Sequence, residues 1–80
     1  MAPRMSKLTS EEFVLLFRSL FLNGDAIGAE TQFRQLEEWS SMQALIVIAA
    51  IDEHMGVTIP ERDFRNARTV ADLFLLSKNP

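Results

Sequence analysis

Between Ala44 and Ile51 the sequence reads ALIVIAAI, two turns of helix without a polar residue. A helix lying on a small domain normally shows one apolar stripe and one polar face. This one is apolar all round, so it must both wall the core and present apolar surface. At 100° per residue, Ala44, Ile48, Ile51 and Met55 share one side, while Met42, Leu45, Ile46, Ala49 and Glu53 fall on roughly the opposite one. The stretch from Trp39 to Met55 is therefore the helix around which the chain is organised. Its first side belongs to the core, and its second asks for a partner. The competing reading is that a loop or the termini cover that second side, since some apolar surface is ordinary.

The start of this helix is marked by two serines. Ser40 has a side chain favoured at an N-cap, and Gln43 stands three residues on, where a capping-box partner reaches back to the cap's backbone N–H. Ser41 is then the first residue inside the helix. Its hydroxyl sits among unpaired N–H groups at the positive end of the helix dipole, where a phosphate would be stabilised. That makes Ser41 a candidate phosphoryl acceptor.

Eighty residues allow one domain, and 48% hydrophobic with 24% charged residues is a globular composition. The core is small and no cysteine is present to staple it, so helix packing must supply the stability. The chain reads as a leader over residues 1–8, one helical domain over 9–77 and a tail over 78–80. Arg4 and Lys7 are followed by Glu11 and Glu12 where a signal peptide needs an apolar run, which points to the cytoplasm. The apolar runs fall far short of the roughly 20 residues that span a bilayer. A net charge of −3 offers no basic field for a polyphosphate and argues against a nucleic-acid reader.

Thr9 with Glu12 forms the S/T-x-x-E capping signature of a first helix, and Phe13, Leu16, Phe17, Leu20 and Phe21 follow at helical spacing until Asn23 and Gly24. Residues 23–39 make a connection longer than most, so it needs structure of its own; Phe33 and Leu36 predict one short turn, with Trp39 as a last anchor. Glu37 and Glu38 read as a solvated acidic edge. Gly56 ends the central helix, and residues 57–60 are extended ahead of a proline. A third, short helix is expected with Pro60 as its first residue and Phe64 as its buried anchor. Arg62, Arg65 and Arg68 would give it a solvated basic strip. Thr69 and Asp72 cap the last helix, whose apolar residues are Val70, Leu73, Phe74 and Leu76. The fold class is all-α, a small bundle of three main helices plus one short helix with a long first loop. With His54 as the sole histidine, no metal-ligand set and no Gly-rich phosphate loop, neither catalytic nor metal-binding residues are expected.

The order of these features resembles a bacterial acyl carrier protein. That family places Asp-Ser-Leu at the start of its second helix, then an apolar helix with an acidic end, then Ile-Pro, and later Thr-Val. Here the corresponding residues are Ser40, Ser41 and Met42, then Asp52 and Glu53, then Ile59 and Pro60, then Thr69 and Val70. The likeness extends from about Thr9 to Leu76. It implies that Ser41 carries 4′-phosphopantetheine, whose thiol holds acyl or peptidyl groups as thioesters, and that Ser40 caps the helix beside it. Counting back from Ile59 and Pro60 in register with the family motif reaches Ser41. The resemblance also makes Met42 an apolar contact for partner enzymes and Asp52 and Glu53 the acidic positions presented to basic partner surfaces; with Leu45, Ile46 and Ala49 of the outer apolar face, these are the expected partner-facing residues. The implied partners are a phosphopantetheinyl transferase and acyl-transferring or condensing enzymes of fatty-acid, polyketide or related biosynthesis. The chain itself is expected to be a monomer and not an enzyme.

There are three departures from the pattern: Ser40 replaces the motif aspartate, Gln43 and Ile46 replace acidic side chains, and the arginine strip is unusual for the family. The rival expectation is a carrier-like helical module without an arm that uses the outer face of the central helix for dimerisation or scaffolding.

Overall fold

The computed structural model describes residues 8–78. The expected leader, apart from Leu8, and the tail beyond Lys78 lie outside them. Among the described residues four α-helices follow in order: α1 (Ser10–Ser19), α2 (Ser41–Met55), α3 (Glu61–Asn66) and α4 (Val70–Lys78), with 3-10 turns at Gly24–Ala26 and Phe33–Gln35. Among the described residues there is no strand, only an isolated antiparallel bridge between Gln32 and Thr69. No described helix is long and apolar enough to cross a membrane. The all-α bundle with three main helices and one short one is as the sequence predicts.

The capping box of α1 forms in both directions: the Glu12 N–H donates to Thr9 Oγ1 at 3.2 Å and the Thr9 N–H donates to Glu12 Oε1 at 2.9 Å. Phe13 and Phe17 enter the core, where the Phe13 ring meets Phe74 of α4 at 5.4 Å. The helix stops at Ser19, earlier than the hydrophobic spacing suggests, because the N–H groups of Leu20 and Phe21 turn to the nearer carbonyls of Phe17 and Arg18. Phe21 remains buried from outside the helix. Gly24 is required by close approach: a Cβ there would stand 2.3 Å from the Arg18 carbonyl oxygen, as the chain folds back over the end of α1.

The long connection is an organised part of the domain. Phe33 is fully buried in its 3-10 turn, as expected of the loop's anchor. Beside it, Arg34 stacks over Phe33 and Phe64 at 4.9 and 5.4 Å and donates to the carbonyls of Phe64 and Ala67, closing the end of α3. The loop also serves α4: the N–H groups of Val70 and Ala71, which lack partners inside the helix, donate to Thr31 O and Ala29 O at 3.2 and 2.8 Å. From Gly56, whose φ of 70° lies in the left-handed region, the chain runs extended with Val57 and Ile59 buried.

Two expectations about α3 need correction. Pro60 is its N-cap, not its first residue, and the helix ends at Asn66, so Arg68 lies beyond it and the three arginines do not share one helical strip. Arg65 pairs with Glu61 at 2.8 Å in solvent, and Arg62 and Arg68 are exposed.

At α4, Asp72 Oδ2 accepts the N–H groups of Arg68 and Thr69 at 2.9 and 3.1 Å, while Thr69 Oγ1 accepts the Asp72 N–H. The backbone N–H of Arg68, then that of Thr69, holds the Asp72 carboxyl below its ordinary value. Because the folded value is depressed, the stabilisation is complete above the ordinary aspartate pKa of about 3.9 and is lost as pH falls through the lower folded value. Thermal melts should therefore show wild type above Asp72→Asn at neutral pH, with the gap closing in acid. A gap that stays constant with pH would contradict this role.

Candidate functional site

Ser40 and Ser41 are adjacent and both exposed, yet the structure gives them different work. Ser40 is extended, at φ −158° and ψ 173°, and its Oγ accepts the Gln43 N–H at 3.1 Å while its carbonyl accepts the Ala44 N–H at 2.9 Å. Its oxygen is thus the cap. Ser41 begins α2, and among the described residues its hydroxyl has no partner. The backbone N–H groups of Ser41 and Met42 have none either, and the first turn contains no carboxylate. An exposed hydroxyl beside free N–H donors, at the positive end of a 15-residue helix, suits a phosphoester.

Replacing Ser40 by alanine should cost about 1 kcal/mol through the lost cap, whereas aspartate should be neutral or stabilising because it caps and complements the dipole. Urea denaturation of the two variants checks this; equal midpoints for alanine and wild type would refute the capping role.

The expected reciprocal partner of this cap is absent. Gln43 turns away from Ser40 and donates from Nε2 to Leu20 O at 2.7 Å, satisfying a carbonyl left over at the end of α1. Glu38 is a second correction. It is half-buried, and its two carboxylate oxygens accept the N–H groups of Leu22 and Asn23, each at 2.8 Å. Only Glu37 is the exposed acidic residue expected. These contacts bridge sequence separations of 15 to 23 residues, beyond the reach of any local pattern. Between them, Trp39 packs on Phe33 at 4.9 Å and stacks with Phe21 and Phe64 at 6.3 and 6.2 Å. The backbone leading into Ser41 is thereby held from below by an aromatic cluster.

The faces of α2 divide nearly as the periodicity predicts. Ile51 and Met55 are buried, Ala44 and Ile48 are partly so, and Val47 and Ala50 join them. Outside, Met42, Leu45 and Ile46 are 66, 63 and 40% exposed, and Ala49, Asp52 and Glu53 continue the same face in solvent. Asp52 also accepts the Thr58 hydroxyl at 3.1 Å. All six expected partner-facing residues are accessible. His54 is exposed at the helix's end, and among the described residues no three His, Asp or Glu side chains come together as metal ligands. Sequence reasoning missed Leu22, which is 94% exposed on the segment that Glu38 holds.

Neither a curated protein nor a solved structure matches the chain. A family model does: that of the phosphopantetheine attachment site, over residues 17–74. The match runs from the last turn of α1 into α4 and so takes in both serines, the long loop and the whole of α2. At that coverage, the chain belongs to the phosphopantetheine attachment family, whose domains serve as carriers with 4′-phosphopantetheine bound covalently to a serine.

Proposed function

We propose that Ser41 is the serine that bears the arm, and that the chain is a discrete acyl or peptidyl carrier in fatty-acid, polyketide or related thioester biosynthesis in the cytoplasm. The observation that carries this reading is the division of labour between the serines: one oxygen is used by the cap and the other projects unengaged. The residues present fit the group, because the Ser41 and Met42 N–H groups are free at the helix start, where an anion attached to Ser41 would be favoured. Once bound, the arm supplies a terminal thiol that holds a carboxylic acid as a thioester. Ser41 anchors it, Ser40 keeps the first turn of α2 wound, and the helix start favours the phosphate's negative charge. The chain's task is presentation; carrier domains are typically non-enzymatic and interact with a phosphopantetheinyl transferase and biosynthetic enzymes.

The test is intact mass after incubation with coenzyme A and a broad-specificity transferase. A carrier gains one phosphopantetheine. No gain with several transferases would favour the arm-less interaction module instead.

In this reading, the outer face of α2 docks the enzymes that receive the cargo, and the chain works as a monomer. Met42, Leu45, Ile46 and Ala49 supply apolar contact, and Asp52 and Glu53 offer charge to basic partner surfaces. Ile46→Glu should leave the stability within about 0.5 kcal/mol of wild type, as expected for an exposed position, and weaken binding to a partner enzyme. Calorimetric titration and a thermal melt decide it; an unfolded variant would place Ile46 in the core.

A further inference from the structure

Both flanks of Ser41 are tied to the same four residues after α1. Three positions before the serine, Glu38 grips the N–H groups of Leu22 and Asn23; two positions after it, Gln43 grips the carbonyl of Leu20. Between these grips the Phe21 and Trp39 rings stack, so Leu20 to Asn23 run alongside residues 38–43 and cannot move independently of them. The charge-assisted pair of bonds from Glu38 is the stronger of the two grips. The consequence for Leu22 is unusual. Its backbone is fixed while its side chain is 94% exposed, the highest exposure among the large hydrophobic residues described. Ordering an apolar side chain in water gains nothing for the fold, since it buries no surface.

We infer that Leu22, held by Glu38 on the segment that Gln43 also ties to the start of α2, is a contact residue for the phosphopantetheinyl transferase, and that Glu38 and Gln43 are positioning residues for that docking. The inference rests on Ser41 being the attachment site. The transferase is the appropriate occupant because modification requires it to bring coenzyme A up to the Ser41 hydroxyl, and in doing so it must cover the surface beside that hydroxyl. Leu22 then adds an apolar contact from the segment after α1 to that of the exposed Met42 on α2. Pre-ordering by Glu38 means that the loop loses little conformational freedom when the enzyme arrives.

The experiment measures transfer rate against carrier concentration, using the full chain, coenzyme A and a broad-specificity transferase. Leu22→Ser should raise KM about tenfold with kcat unchanged, the weight of one apolar side chain withdrawn from an interface. Leu15→Ser, another exposed leucine, lies on α1 and should leave KM at the wild-type value. Glu38→Gln should raise KM in the same sense and accelerate amide exchange at Leu22 and Asn23. Because both substitutions act through one contact, the double variant should be no worse than Leu22→Ser alone. A wild-type KM for Leu22→Ser, or single effects that multiply in the double variant, overturns the inference while leaving Ser41 as the attachment site. Wild-type chain that gains no mass overturns both.

Discussion

Ser41→Ala is expected to abolish the gain of mass in the transferase assay while its melting curve stays close to that of wild type. The side chain is exposed and its hydroxyl has no partner in the fold, so truncation removes no bond and leaves no cavity. Alanine is also the best helix former, and the backbone of the first turn is unaffected. Ser40→Ala is the informative contrast. It should lower stability through the cap yet retain modification, because the hydroxyl that accepts the Gln43 N–H is not the one that projects. The pair separates a stability effect from a chemical one at neighbouring positions. Peptide mapping that finds the phosphodiester on Ser40, or full modification of Ser41→Ala, would end the assignment.

Much of this arrangement is legible in the sequence because local rules produce it. The caps at Thr9, Ser40 and Thr69 use side chains three residues from their backbone partners. The inner face of α2 follows from helical period alone. What the sequence concealed depends on distant segments. Glu38 resembles a solvated carboxylate until the end of α1 places two N–H groups before it, and Gln43 resembles a capping-box residue until Leu20 offers a carbonyl to its side-chain N–H. The early end of α1 has the same origin: Phe21 keeps the helical spacing of a core residue but reaches the core from a turn. Leu22 could not be singled out either, since an apolar residue after a helix gives no sign of being both fixed and exposed.

Phe33→Ala should leave the domain largely unfolded at room temperature. Phe33 is 0% exposed, and its ring lies 4.9 Å from Trp39, 5.8 Å from Phe64 and 6.0 Å from Phe17. It is where the long loop, α1, α3 and the approach to α2 meet. Removing a buried phenylalanine typically costs about 3–5 kcal/mol. A domain of this length, with no disulfide, usually has only about that much stability in total. The loss would also remove the face on which Arg34 stacks, weakening the closure of α3. Phe33→Leu keeps most of the volume and should remain folded with a lower urea midpoint. The chain itself provides the readout: Trp39 is its only tryptophan and it has no tyrosine, so fluorescence reports on the ring packed against Phe33. Phe33→Ala should show red-shifted emission without denaturant and lose modification at Ser41, whose approach Trp39 supports. Native-like emission and a cooperative urea transition near the wild-type midpoint would show instead that the loop is dispensable to the core.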